Sequence, residues 1–344
     1  MSTLGRMEAE GHELVAYFYD KPTGLKAIIA VHSTKLGPAL GGCRVWPYES
    51  EEAALQDVLR LSKGMTYKSA AMGLPLGGGK AVVIADPRKD KTPELFEAFG
   101  RAVESLGGKY ITAEDVGTSP EDLLAVRRAT RYVVGLPGAS GDPSPVTAYG
   151  VFSGMKACLE HVFGSDDFRG RTVAIQGLGA VGMHLCQYLH EAGASLVVTD
   201  IRDDRVKEAV RRFGARAVAP DAIFDVECDV FAPCALGAVL NDDTIPRLKA
   251  KIVAGSANNQ LAELRHGRML KERNILYAPD FIINGGGVIN VYHELIPEGY
   301  QRERVMERVA RIRDQVAEVI ALAAEQNTTT AEAALLLAER RLNG

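Results

Sequence analysis

Thr172-Val-Ala-Ile-Gln-Gly177-Leu178-Gly179-Ala180-Val181-Gly182-Met-His-Leu185 is the stretch that decides the fold. A short apolar, β-branched run leads into glycines spaced G-x-G-x-x-G, and a helical pattern through Met183, Leu185 and Leu189 follows. In that setting the spacing reads as a dinucleotide-binding turn. Gly177 permits the tight turn, Gly179 lets backbone approach a pyrophosphate, and Gly182 lets helix and strand pack closely. The N–H groups and dipole of the helix start then face the phosphates. Asp200 closes the next apolar strand at the distance where a carboxylate accepts hydrogen bonds from the adenosine ribose. Its charge repels a 2′-phosphate, which favours NAD over NADP.

Working outward, further apolar strands at Leu196 to Thr199, Val230 to Ala232, Ile252 to Ala254 and Ile275 to Ala278 alternate with amphipathic helices. That alternation predicts an α/β, Rossmann-type, doubly wound parallel sheet. Upstream, β-rich runs at Leu25 to Val31 and Ala81 to Ile84 alternate with helical patterns near Glu51 to Leu61 and Pro93 to Leu106, a separate α/β domain. Between Val134 and Thr147 the chain is too rich in Gly and Pro for a regular element, and we read a hinge there. From Arg302 on, Val305, Val309, Ile312 and Val316 recur at helical spacing, predicting one or two long terminal helices. The expected organisation is a substrate-binding domain over 1–138, an NAD-binding domain over 139–325, and a C-terminal helix over 326–344 returning to the first domain.

Bulk properties exclude several classes. With 344 residues, a net charge of −4 and no dense Lys/Arg block, the chain lacks the basic footprint of a nucleic-acid or anionic-membrane binder. No signal-peptide core and no bilayer-length apolar run is visible, so a cytoplasmic location is expected. Five scattered cysteines form no C-x-x-C pair, and the seven histidines show no metal spacing, so neither a disulfide framework nor a metal site is expected.

Two lysines stand in apolar or glycine-rich surroundings: Lys68 in Gly64-Met65-Thr-Tyr-Lys68-Ser-Ala-Ala, and Lys80 in Leu76-Gly-Gly-Gly79-Lys80-Ala-Val-Val. Lysine is seldom buried without a reason. Gly-Gly-Gly-Lys is not a P-loop, because Gly73 is one position too early, Ala81 replaces the magnesium-binding Ser/Thr, and the strand follows the lysine. A lysine held among apolar groups near a second cation gives up its proton more readily, which suits general-base work. Lys80 is the candidate for that role, and a charged Lys68 for pairing with a substrate carboxylate. For either lysine alone, a snorkelling side chain covering apolar surface is the plainer alternative. Tyr110-Ile-Thr-Ala113-Glu114-Asp115-Val-Gly ends a β-like run in two carboxylates. Asp115 there either exchanges protons with an amine or water, or caps the helix starting near Pro120.

Together these segments resemble the glutamate, leucine, phenylalanine and valine dehydrogenase family, and within it the branched-chain type. The resemblance is carried in order by Leu36-Gly-Pro-Ala-Leu-Gly-Gly-Cys-Arg44, Gly64 to Lys68, Leu76 to Lys80, Ile111 to Gly117, Asp142-Pro-Ser-Pro-Val-Thr-Ala-Tyr-Gly150, Gly255-Ser-Ala-Asn-Asn-Gln260 and Asn284-Gly-Gly-Gly-Val-Ile-Asn290. It implies a cleft between the two domains, closing over substrate. Lys68 would hold the substrate carboxylate, Lys80 would activate water, and Asp115 would carry protons to and from the amino group. It further implies a substrate pocket built from Leu40, Gly41, Gly42, Met65, Ala113, Val288 and Val291. Asn258 or Asn259 would contact substrate or the nicotinamide ribose, and Thr147 would lie near the carboxamide. Members acting on glutamate carry a lysine where this chain has Leu40, so an aliphatic side chain is expected: leucine first, with valine and isoleucine. Gly285 and Val291-Tyr292-His293-Glu294 differ from the branched-chain pattern beside that pocket, which keeps phenylalanine or tryptophan as the alternative. A catalytically silent NAD sensor is the alternative of another class. A homo-oligomer, octamer or dimer, is implied as well.

Overall fold

The computed structural model describes residues 2–344, and the chain divides into two compact units. The first comprises residues up to Gly141 together with Val291–Tyr300 and Glu339–Gly344; the second comprises Asp142–Asn290 and Gln301–Ala338.

The first unit contains helix α1 (Thr3–Glu10), strands β1 (Leu14–Asp20), β2 (Leu25–Ser33) and β3 (Ala39–Trp46), helix α2 (Glu51–Ala71), strand β4 (Gly77–Ile84), helix α3 (Pro93–Ser105), strand β5 (Tyr110–Glu114) and helix α4 (Pro120–Ala129). Its sheet is mixed, in the order β1-β2-β4-β3-β5. β1 and β4 run antiparallel to β2, whereas β3 is parallel to both β4 and β5. Side chains alternate across this sheet. Ile29, Val31, Ala81 and Val83 pack with Phe96, Phe99 and Val126 of α3 and α4, while Ile28, Ala30 and Val82 pack under Leu55, Val58 and Leu59 of α2. Lys80, two residues before Val82, therefore projects to the α2 side.

The sequence did not announce β1 or β3, nor that β4 starts with three glycines. Glycine is a poor strand former in isolation, and here it is retained for close packing. A Cβ on Gly78 would lie 2.0 Å from the Thr66 backbone nitrogen, so α2 rests directly on the strand only because that position is bare.

The second unit contains α5 (Ser144–Phe163), β6 (Thr172–Gln176), α6 (Ala180–Glu191), β7 (Ser195–Thr199), α7 (Asp203–Phe213), β8 (Arg216–Ala217), β9 (Val230–Pro233), β10 (Ile252–Val253), α8 (Arg265–Glu272), β11 (Leu276–Tyr277) and α9 (Asp280–Ile283). Helix α10 (Gly286–Tyr292), whose last two residues belong to the first unit, follows, then α11 (Arg302–Ala310), α12 (Ile312–Glu325) and α13 (Thr330–Asn343), which belongs to the first unit from Glu339 on. All pairings in its sheet are parallel, in the order β11-β10-β9-β6-β7-β8. This is the doubly wound arrangement, with its switch point between β6 and β9, where ligands gather in such sheets.

Two expectations need correction. The Gly/Pro-rich stretch is irregular only as far as Pro143, because α5 begins at Ser144 and takes Thr147 into its first turns. Proline is tolerated at a helix start, where its missing N–H costs nothing. The C-terminal region forms three helices rather than one or two, since the chain turns after Ala310 and again between Glu325 and Thr330. No helix among the described residues is long and apolar enough to cross a membrane.

Candidate active site

In the first unit, three neighbouring strands and one helix assemble the predicted residues. Lys80 sits in the middle of β4, only 5% exposed, and its Nζ lies 3.1 Å from Asp115 Oδ2 just beyond the end of β5. Arg44 of β3, the strand between them, donates from Nε to the same oxygen at 3.0 Å. Behind Arg44, Asp57 of α2 accepts from its Nη1 at 2.9 Å and from the Tyr48 hydroxyl at 2.6 Å. The result is a chain of charges, Lys80 to Asp115 to Arg44 to Asp57, buried or half-buried throughout.

The local backbone explains why this chain can form. Gly42 of β3 pairs with Ala113 of β5, and a Cβ there would lie 2.7 Å from Asp115 Cβ, so the absent side chain makes room for the carboxylate. The Asp115 N–H donates to Thr118 Oγ1 at 2.8 Å, and that hydroxyl donates in turn to the Asp115 carbonyl at 2.7 Å, with the Cys43 carbonyl at 3.2 Å, fixing the turn after β5. Asp115 is not a helix cap. Ser119 caps α4 by accepting from the Asp122 N–H, with Asp122 closing the reciprocal bond. Cys43, fully buried next to Asp115, has its thiol pushed above the usual range by burial and then by that carboxylate, so it is no nucleophile.

Met65 and Lys68, both half-buried, lie on the last turns of α2. Leu40 is buried and pairs with Ile111, while Gly41 pairs with Thr112 and its carbonyl accepts from the Tyr110 hydroxyl at 2.6 Å. Ala113 is buried and Val291 half-buried. A cavity of about 460 Å³ is lined by Pro38, Leu76, Ile111, Arg131, Tyr132 and Tyr292, among others, and by neither Leu40 nor Ala113. Its wall is largely apolar, with Arg131 as the charged group in it.

In the second unit, Gly177 adopts φ +100°, a left-handed value that favours glycine, and a Cβ on Gly182 would lie 2.1 Å from the Gly177 carbonyl oxygen. Gly179 is the N-cap of α6 and carries no side-chain cap, while a Cβ built there meets nothing within 4 Å. An uncapped helix start facing open space fits a phosphate group. Asp200 directly follows β7; its Oδ2 accepts from the Leu178 N–H at 2.6 Å and its Oδ1 from the Arg202 N–H at 2.8 Å. The acid thus braces the glycine turn. Leu178 is buried, and Ala180 and Val181 open α6. Thr147 is half-buried on α5, and its Oγ1 lies 3.1 Å from a Cβ built on Gly287. Val288 is buried on α10. Asn258 and Asn259 are exposed; the Asn258 side-chain oxygen accepts from Asn284 Nδ2 at 2.8 Å, and Asn259 sits at φ +51°.

Three contributors were missed as site residues: Arg44, Asp57 and Asn284. Arg44 and Asn284 lie inside recognisable segments, whereas Asp57 gives no signal on an ordinary helical face. The structure also gathers Asp242, Glu263 and His266, but Arg265 pairs with both acids, and His266 Nδ1 accepts the Glu263 N–H. That leaves a neutral ring with its proton on Nε2, turned towards Asp242, whose carboxylate Arg265 already engages.

Residues 14–132 match the family described as Glu/Leu/Phe/Val dehydrogenase, dimerisation domain, and residues 138–205 and 198–343 match Glutamate/Leucine/Phenylalanine/Valine dehydrogenase. Leucine dehydrogenase from Geobacillus stearothermophilus is 56% identical over 345 residues, covering 99% of this chain and 94% of that protein. The crystal structure of L-tryptophan dehydrogenase from Nostoc punctiforme superposes with TM-score 0.88 at 47% identity, covering 99% of each chain. Hetero-hexameric glutamate dehydrogenase from Thermus thermophilus shares the fold, with TM-score 0.80 at 22% identity over 99% of this chain and 94% of that one.

Proposed function

The chain belongs to the Glu/Leu/Phe/Val dehydrogenase family, and from that premise we propose that it catalyses the reversible, NAD-dependent oxidative deamination of a branched-chain L-amino acid to its 2-oxo acid and ammonia. Leucine is the preferred substrate, with valine and isoleucine secondary, since an apolar pocket separates a methylene by only ~1–3 kcal/mol. The observation that carries the reading is the buried Lys80 with its Nζ 3.1 Å from Asp115.

Lys68 binds and orients the substrate carboxylate. Asp115 takes a proton from the substrate ammonium, so that a neutral amine is presented for oxidation. NAD, when bound, supplies the hydride acceptor. Lys80 then removes a proton from the water that adds to the iminium carbon, and Asp115 returns its proton to the departing amine. Leu40, Ala113, Val288 and Val291 receive the aliphatic side chain; Gly41, Gly42 and Met65 shape the floor. Asn258, held by Asn284, and Asn259 and Thr147 serve the nicotinamide end. The acid at Asp200 and the engagement of Arg202 by Asp204 support NAD over its 2′-phosphorylated form. A homo-oligomer in the cytoplasm completes the reading.

Purified protein given NAD and each of the twenty amino acids in turn should form NADH fastest with leucine, isoleucine or valine. No NADH absorbance with any of them overturns the proposal. The 460 Å³ cavity flanked by Tyr132 and Tyr292 favours a second reading, an aromatic substrate. A kcat/KM for phenylalanine or tryptophan above that for leucine establishes it.

A further inference from the structure

Two cations meet one oxygen of Asp115, and only one of them is accounted for by the chemistry above. Lys80 Nζ lies 3.1 Å and Arg44 Nε 3.0 Å from Oδ2. Arg44 does not hang from the site by itself, because Asp57 takes its Nη1 at 2.9 Å and is held by Tyr48 and by Arg60 on the other oxygen. A guanidinium anchored at both ends is a fixed strut, and a planar fork loses little freedom in being so placed.

We propose that Arg44 is a positioning residue for the proton transfers of Asp115. By occupying Oδ2 together with Lys80, it directs protonation to Oδ1 and holds the carboxylate plane fixed while Lys80 exchanges its own proton with water. The need for a second cation follows from the reaction itself. To act as base Lys80 must be neutral, and without Arg44 Asp115 would then have no charged neighbour at Oδ2. Arg44 does not titrate in the working range, so the carboxylate keeps one constant positive partner through the cycle. The inference rests on the reading of Asp115 as the proton carrier.

Ionisable groups from several elements surround Asp115. Lys80 comes from β4, Arg44 and the buried Cys43 thiol from β3, Glu114 and Tyr110 from β5, Asp122 from α4, and Asp57 with Tyr48 from behind Arg44. Arg44 is thus the one permanently charged cation in contact with Asp115 among the described residues.

The test is the pH dependence of leucine oxidation in Arg44→Met, Arg44→Lys, Asp57→Asn and Asp115→Asn, with melting curves for each. Arg44→Met should lower kcat about 10- to 100-fold, a part of the ~10²–10⁴ that positioned proton transfer supplies, while KM for leucine stays within about threefold because Lys68 binds its carboxylate. Its acid limb of kcat/KM should move up by about one pH unit, as expected when a cation beside the acid and base is removed. Arg44→Lys should restore the limb but only part of kcat, and Asp57→Asn should lie between Arg44→Met and the parent. An unmoved limb in a folded Arg44→Met, with Asp115→Asn inactive, overturns the role of Arg44 alone. Full turnover by Asp115→Asn overturns the underlying reading of Asp115. Should Arg44→Met fail to fold, a limb in Asp57→Asn identical to the parent's overturns the inference.

Discussion

At the scale of single residues, burial sets the chemistry of side chains far from the reaction as firmly as those within it. His32 of β2 donates from Nε2 to the Glu10 carbonyl at 3.1 Å, which leaves Nδ1 to accept from Thr66 Oγ1 at 2.9 Å. Its ring meets that of His12 edge-on at 4.8 Å. Burial first, then His12, lowers its pKa from 6.5 to about 4, with Glu10, Glu13 and Lys63 the other charges nearby. Between those two values the unfolded chain binds a proton that the folded chain refuses. Stability therefore falls as the pH drops from 6.5 towards 4 and stops falling on this account below that. The melting temperature of His32→Gln should vary less across this window than the parent's; an equal slope would exclude His32 as its source. Legibility at this scale was uneven. Lys68, Lys80 and Asp115 stood out because charged residues in apolar sequence ask for an explanation, yet the sequence left Asp115 poised between acid and helix cap. The capping of α4 by Ser119 removes the cap reading. Asp57 was invisible, since its partner Arg44 lies thirteen residues away on a different element.

At the scale of elements, the glycine turn separates packing from binding. Gly182 has the Gly177 carbonyl against it, whereas Gly179 has open space at an ordinary φ of −65°. Gly182→Ala should therefore cost about 1–3 kcal/mol through overpacking and lower the melting temperature. Gly179→Ala should leave melting unchanged yet weaken NADH binding about tenfold, a loss of ~1.4 kcal/mol. Fluorescence titration and calorimetry on both variants check the pair, and equal NADH affinity in Gly179→Ala and the parent would remove the phosphate role. The strands of the second sheet, apart from the short and exposed β8, were readable because parallel strands covered on both faces appear as continuous apolar runs. β3 and the start of β4 were not, because Gly41, Gly42 and Gly77 to Gly79 carry no hydrophobic signal. Their strand state is imposed by partners on either side rather than by their own preference. The same override put Thr147 inside a helix, where proline had suggested a loop.

At the scale of the whole molecule, two units with separate cores and sheets account for a chain of this length. The first leaves β1 at the sheet edge with Tyr19 69% exposed, and exposed edges are ordinarily covered by association. On the proposed homo-oligomeric reading, the protein should scatter light at a whole-number multiple of the chain mass, and its melting temperature should rise with protein concentration. A single-chain mass at every concentration would refute that assembly. Organisation at this level was legible in outline from the alternation of strands and helices. The return of Val291–Tyr300 to the first unit was not, since no local pattern marks a segment whose placement depends on distant contacts. The backbone pairing of β3, β4 and β5 has a further consequence for change over evolutionary time. Lys80 and Arg44 are spaced by the main-chain hydrogen bonds of paired strands, and Asp115 follows directly on β5, whereas Leu40, Ile111 and Ala113 are appendages of the same strands. A lineage of such proteins can therefore exchange one nutrient for another by altering a few protruding groups, while the buried chain of charges is inherited intact.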